Sequence, residues 1–256
     1  MNLSSITSSI ADVSAIHITT HHLDPSVEFY KKLGFREMFR YDFPFPFILL
    51  TDDTLLIMLR QDKDPYIALT YYVKNVEDKV KELENKGLVF TPLSQKSDMI
   101  QRFRTTSPDG LNLTLVTHVE TFVKPQGPGM LQMNQADYFN PEKYVNQTIG
   151  MFGELAHPVK DLEESIGYWE KLGFTVVSKF ASPYPWAILT DGTAVVGCHQ
   201  STHFTTPAIT YFAKDMGDKI NRLKESGLEN YKEIMGPHNI AITTPEGQQV
   251  FLFSMG

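Results

Sequence analysis

Ser26-Val27-Glu28-Phe29-Tyr30-Lys31-Lys32-Leu33-Gly34-Phe35 returns 139 positions later as Ser165-Ile166-Gly167-Tyr168-Trp169-Glu170-Lys171-Leu172-Gly173-Phe174. In each copy apolar residues recur at helical spacing, and a glycine stands where a helix ends. The match extends outward from this stretch. At the same offset Pro44-Phe45-Pro46-Phe47 faces Pro183-Tyr184-Pro185-Trp186, and Thr51-Asp52 faces Thr190-Asp191. Further on, Ala68, Thr70, Tyr71 and Lys74 match Ala208, Thr210, Tyr211 and Lys214. Asp78, Lys79, Leu83, Gly87 and Leu88 match Asp218, Lys219, Leu223, Gly227 and Leu228. Thr106, Pro108 and Gly110 match Thr243, Pro245 and Gly247. Matches that keep their order while the offset drifts mark a duplication with loop insertions.

The repeats span roughly 12–118 and 149–255. This predicts one domain over 1–118, a linker over 119–148 and a second domain over 149–256. The linker carries Pro125, Gly127, Pro128, Gly129 and Pro141, which punctuate without periodicity. It also carries Phe122, Met130, Leu131, Tyr138 and Phe139, so it is expected to pack on a domain surface.

One half predicts the other. Val13–Thr20 alternates with period two, as a strand with one face on the core does. Asp24-Pro25 reads as an N-cap followed by a first-turn proline. Strand-like runs follow at 35–42, 47–51 and 54–60. The order then restarts with a strand at 67–73, an amphipathic helix on Val76, Val80 and Leu83, and three more strand-like runs. Each half is therefore β-α-β-β-β twice. The expected class is α+β, with four βαβββ modules.

Composition narrows the partners. The chain of 256 residues is 42% hydrophobic and 21% charged, and Lys+Arg 23 against Asp+Glu 30 gives −7. An acidic chain with no long basic run is a poor match for nucleic acid or an anionic membrane surface. No apolar stretch approaches the ~20 residues of a membrane span. The first residues show neither a basic nor an apolar signal region, so a cytoplasmic protein is expected. The single Cys198 excludes an intrachain disulfide and a cysteine-based zinc cluster.

The two long motif copies, with Ser107-Pro108-Asp109-Gly110 and Thr244-Pro245-Glu246-Gly247 before the last strands, resemble the vicinal oxygen chelate superfamily. Its members include glyoxalase I, the extradiol dioxygenases and the bleomycin- and fosfomycin-resistance proteins. The resemblance covers the chain apart from the linker. It implies two glyoxalase-like domains, each a curved mixed sheet with helices outside and a ligand on the concave face. It implies little about reaction, since this fold hosts many.

Metal-dependent members place His, Gln or Glu at a few concave positions. Carried over, these fall on Ala15 or His17, Met58, Ala68 and Thr114, then on Glu154, Gly197, Ala208 and Phe251. A divalent ion needs three or four converging N/O ligands. These positions supply Glu154 and, at most, His17. No cofactor is expected, and a divalent metal is the lesser expectation. His21 and His22 are placed at a loop edge. His199 shares a strand face with Gly197, so Glu154 and His199 are the candidate catalytic acid/base pair, against the plain alternative of a buried polar pair.

The most distinctive local feature is Phe43-Pro44-Phe45-Pro46-Phe47 against Ser182-Pro183-Tyr184-Pro185-Trp186. Prolines stiffen the loop, and rigid rings give contact area at small entropic cost. The expected ligand-binding set is His17, Phe45, Phe47, Met58, Thr114, Tyr184, Trp186, Gln249 and Phe251. Such a lining suits a small, partly apolar or aromatic molecule. The leading expectation is a small-molecule binding protein, monomeric or homodimeric. The alternative is a lyase, isomerase or dioxygenase-like enzyme using a nonstandard metal or a Glu154-centred acid/base.

Overall fold

The computed structural model describes residues 6–43, 45–96 and 98–255. Four βαβββ modules follow one another as the repeat predicts. The first is β1 (Ser14–Thr20), α1 (Leu23–Lys32), β2 (Arg36–Tyr41), β3 (Phe47–Thr51) and β4 (Leu56–Gln61). The second is β5 (Ile67–Val73), α2 (Val76–Glu84), β6 (Thr91–Pro92), β7 (Arg102–Thr106) and β8 (Asn112–Thr117). The third is β9 (Met151–Pro158), α3 (Leu162–Lys171), β10 (Thr175–Phe180), β11 (Trp186–Thr190) and β12 (Val195–His199). The fourth is β13 (Ala208–Ala213), α4 (Met216–Glu225), β14 (Tyr231–Glu233), β15 (Ile240–Thr243) and β16 (Gln249–Ser254).

The strands make two eight-stranded sheets, ordered β2-β3-β4-β1-β5-β8-β7-β6 and β10-β11-β12-β9-β13-β16-β15-β14. The orders are the same under the repeat. Both sheets are mixed: β5–β8 and β13–β16 run parallel, while the β2–β3–β4 and β10–β11–β12 meanders run antiparallel. The class is α+β, as the pattern predicts.

The duplicated motif forms for a definite reason. After α1, the Gly34 N–H donates to Lys31 O at 3.0 Å and the Phe35 N–H to Tyr30 O at 3.1 Å. After α3, Gly173 and Phe174 donate to Glu170 O and Trp169 O at 2.9 and 3.1 Å. Both glycines sit at positive φ, 89° and 91°, where an L side chain is strained. The following Phe packs edge-on against the aromatic that receives its bond, Tyr30 at 5.7 Å and Trp169 at 4.9 Å. So K-L-G-F is a helix stop with its hydrophobic latch.

The helix start differs from expectation. α1 begins at Leu23 with His22 in the cap position, so Asp24 and Pro25 lie inside the first turn. Proline is tolerated there because first-turn N–H groups have no intrahelical acceptor. In α3, Asp161 does cap, accepting from Glu164 N at 3.0 Å. The first strand-like run after α2 shortens to the two-residue β6.

Contacts group the residues into two compact units. Unit 1 holds residues up to Ile16, Ile67–Lys124 and Ala156–Thr205; unit 2 holds His17–Tyr66, Pro125–Leu155 and Thr206 onward. Each unit thus contains modules from both sequence halves.

In unit 1 the Tyr71 hydroxyl donates to Asp191 Oδ2 at 2.7 Å. Ser8 Oγ donates to the same oxygen at 2.5 Å, and the Thr193 and Ala194 N–H groups donate to Oδ1. In unit 2 Tyr211 donates to Asp52 Oδ2 at 2.6 Å, joined by Asn146 Nδ2 at 3.0 Å. The repeated Thr-Asp pairs are therefore buried turn anchors. Burial, reinforced by the adjacent carboxylate, holds both tyrosine pKa values well above normal.

The linker forms three short 3-10 turns, and its Tyr144 is buried. Phe139 stays exposed. No helix among the described residues is long and apolar enough to cross a membrane.

Candidate functional site

Unit 1 gathers Tyr184, Trp186 and His199. β11 and β12 pair so that Trp186 lies opposite His199. The two rings are parallel within 7° at 5.3 Å. Phe180 stacks on Trp186 at 4.1 Å. Tyr184 Oη lies 3.3 Å from His199 Nδ1, and Phe204 meets the imidazole edge-on at 5.7 Å. His199 is buried, whereas Trp186 and Tyr184 keep part of their surface open. Rigid rings with one open face form a ready contact surface for another ring.

Unit 2 repeats the arrangement with different side chains, Tyr41, Phe45, Phe47 and Arg60 standing where unit 1 has Phe180, Tyr184, Trp186 and His199. β3 and β4 pair so that Phe47 lies opposite Arg60. Tyr41 stacks on Phe47 at 5.2 Å, Phe45 lies 6.0 Å from Phe47, and the Arg60 guanidinium sits 5.5 Å from the Phe45 ring. A cation over an aromatic face is favourable. Pro44 lies outside the described residues. His199 and Arg60 are thus equivalent positions, 139 apart, which the sequence reading did not connect. Applying the offset of the proline loop to His199 would have found Arg60.

The other expected ligand-binding residues are placed as follows. His17 is buried, edge-on to Tyr66 at 5.2 Å. Met58 is buried in β4 opposite Leu49. Gln249 donates through Nε2 to Thr243 Oγ1 at 3.2 Å, and Phe251 lies 5.9 Å from Phe253. These four are in unit 2. Thr114 belongs to unit 1, buried in β8 between Thr70 and Arg104 in register.

Glu154 is a buried residue of unit 2. Its N–H donates to Thr210 Oγ1 at 3.0 Å, and Thr210 donates back to its carbonyl at 3.2 Å. Its neighbour Gly153 leaves room for the Phe212 ring, which any Cβ there would overlap. His199, the other member of the expected acid/base pair, belongs to unit 1.

A second histidine site was not expected. His157 Nε2 lies 3.1 Å from Ser107 Oγ, both buried. Burial pushes the His157 pKa down to about 4, against an opposing pull from Asp109. Asp109 accepts from Lys160 N at 2.8 Å and from the Ser165 hydroxyl. The two motifs that carry the resemblance, the Ser165 helix and the Ser107–Gly110 turn, therefore touch each other. In unit 2 Glu246 lies beside the buried Tyr30 hydroxyl; burial first and this carboxylate second raise the Tyr30 pKa.

Comparison with solved structures fits this architecture. The 2,3-dioxygenase LapB from Pseudomonas sp. KL28 superposes with a TM-score of 0.61 at 16% identity, over 98% of this chain and 94% of that one. Homoprotocatechuate 2,3-dioxygenase from Arthrobacter globiformis gives 0.62 at 16%, over 99% and 82%. The chain has the fold of the 2,3-dioxygenases. A catechol 2,3-dioxygenase structure agrees, with 0.59 at 15% identity over 96% and 88%. At these identities the likeness concerns the fold. No family model matches the sequence, and no curated protein does.

The donor set for a metal is a separate question. The positions at which the sequence resemblance would place metal ligands hold Ala15 or His17, Met58, Ala68, Thr114, Glu154, Gly197, Ala208 and Phe251. Among the described residues no three His, Cys, Asp or Glu come together to hold an ion. Alanine, glycine and phenylalanine carry no ligand atom, and methionine sulfur and threonine hydroxyl are poor ones for a hard divalent ion. The residues present do not fit the superfamily's divalent centre.

Proposed function

We propose that the protein binds a small, partly aromatic or apolar organic molecule without the superfamily's metal. The observation that carries this reading is the repeated ring cluster. Two equivalent hairpins each hold a stacked aromatic pair opposite a polar ring or cation, Trp186 with His199 and Phe47 with Arg60. Packing alone does not require Trp186 to keep an open face. Stacking on such a surface contributes about 0.5–1.5 kcal/mol beyond buried area.

A second reading is an enzyme, a lyase, isomerase or dioxygenase-like activity. The fold shared with ring-cleaving dioxygenases favours it. On this chain it would rest on Glu154 or His199 as proton carrier. Titration of the full chain with catechol separates the two. Saturable quenching of Trp186 emission in a Trp169→Phe background, with catechol recovered unchanged, supports binding. Turnover lost in Glu154→Gln or His199→Gln supports the enzyme. Absence of both at millimolar catechol counts against an aromatic ligand at this cluster.

A further inference from the structure

We propose that a groove of about 400 Å³ at the start of α2, in unit 1, binds a hydroxylated aromatic ring as a free phenol. It lies apart from the Trp186 cluster in sequence and lining, and it rests on different observations.

The groove is framed by Ser8–Val13 on one side and by Lys74, Asn75 and Lys79 on the other. The duplication supplies an internal reference for it, because unit 2 has the same frame. Lys79 Nζ donates to Ser9 O at 2.6 Å, and Lys219 Nζ donates to Gln147 O at 2.6 Å. His118 N donates to Val73 O at 2.9 Å, and Met255 N donates to Ala213 O at 3.0 Å. The two frames share these bonds, while Lys79 also pairs with Glu82 and Lys219 with Asp215.

They differ in what fills them. In unit 2 the linker inserts Tyr144, which is only 2% exposed. Its hydroxyl accepts from Lys214 N at 3.0 Å and donates to Tyr138 O at 2.6 Å. Its ring lies 5.7 Å from Lys219 Nζ. Tyr144 stands three residues before Gln147. Three residues before Ser9 stands Ile6, which has neither ring nor hydroxyl.

Unit 1 therefore keeps the contacts for a phenol and leaves them open. The Lys74 N–H, equivalent to Lys214 N–H, makes no hydrogen bond among the described residues. The Lys79 side chain is 18% exposed where Lys219 is 2%. A phenol oxygen can accept from the first, and the ring face can sit beneath the second. Asp12, Asp78 and Glu82 also line the groove, so a neutral ring suits it better than a carboxylate or phosphate.

The test uses the full chain isotope-labelled at lysine, titrated with p-cresol and separately with toluene, and followed by amide NMR. The Lys74 amide is expected to shift saturably with p-cresol. The Lys214 amide, already bonded to Tyr144, is expected to stay. Toluene lacks the hydroxyl and is expected to bind about 2- to 12-fold more weakly, the value of one hydrogen bond. Lys79→Met removes the cation and its bond to Ser9 O, so it should weaken p-cresol binding, and the Lys74 amide shift should then need a higher p-cresol concentration to saturate. A Lys74 amide that does not move while p-cresol quenches Trp186 would overturn the groove and leave the Trp186 site standing. Equal affinity for toluene and p-cresol would overturn the phenol assignment.

Discussion

Tyr71→Phe removes one oxygen from the anchor that joins β5 to the β11–β12 turn. The ring remains, so packing is kept and no cavity larger than a hydroxyl is left. What is lost is a 2.7 Å hydrogen bond to a carboxylate, between residues that are both 0% exposed. A bond to a charged group contributes roughly 1.5–3 kcal/mol. Asp191 keeps Ser8 and two backbone N–H donors, so it stays paired and the cost stays within that range. Asp191→Ala strands all of these donors and should cost more, at least ~3 kcal/mol. Urea unfolding of the two single variants and the double variant gives the coupling directly. The expected coupling is about 1.5–3 kcal/mol. Tyr211→Phe should behave alike through Asp52. Because the two anchors share no partner, the Tyr71→Phe and Tyr211→Phe costs should add within about 0.5 kcal/mol. A coupling near zero, with unchanged urea midpoints, would refute the view that these buried pairs hold the modules together.

Other outcomes follow from the same structure. His157 has a folded pKa of about 4 against an ordinary 6.5, so its contribution is whole above pH 6.5 and is lost as pH falls toward 4. The loss is on the order of 3 kcal/mol. His157→Phe should flatten that part of the urea midpoint against pH curve, and an unchanged slope would exclude the residue as its source. Tyr30, Tyr71 and Tyr211 have raised pKa values, so their stabilisation is present below pH 10 and lost above it. In alkaline spectrophotometric titration they should ionise only as the chain unfolds. Trp169 is 0% exposed and latched to Phe174, so Trp169→Ala should cost ~3–5 kcal/mol of stability. Trp186→Ala should cost less stability but weaken ligand binding by roughly 1–3 kcal/mol. A Trp186 variant that melts far earlier yet binds normally would make that ring core packing. Gly153→Ala should destabilise by ~1–3 kcal/mol, since its Cβ overlaps the Phe212 ring; a neutral melting curve would contradict the close approach.

The amino-acid sequence by itself determined the duplication, the βαβββ order and the helix stops. These are local matters. Glycine at positive φ, period-two alternation and helical spacing each act within a few residues, so Gly34 and Gly173 are legible without any partner. Tertiary structure alone decided which distant residues meet. Thr51-Asp52 and Thr190-Asp191 read only as matched pairs, and the fold shows them to be acceptors for Tyr211 and Tyr71. The contact of His157 with Ser107 and its depressed pKa come from burial between modules of unit 1. The offset of the repeat already pairs His199 with Arg60, but only strand register shows each opposite an aromatic ring. Tyr144 read as part of a linker, and only packing shows its hydroxyl at the start of α4, where it meets Lys214. Pairing across tens of residues depends on which faces are buried together, and spacing along one chain does not encode that distance.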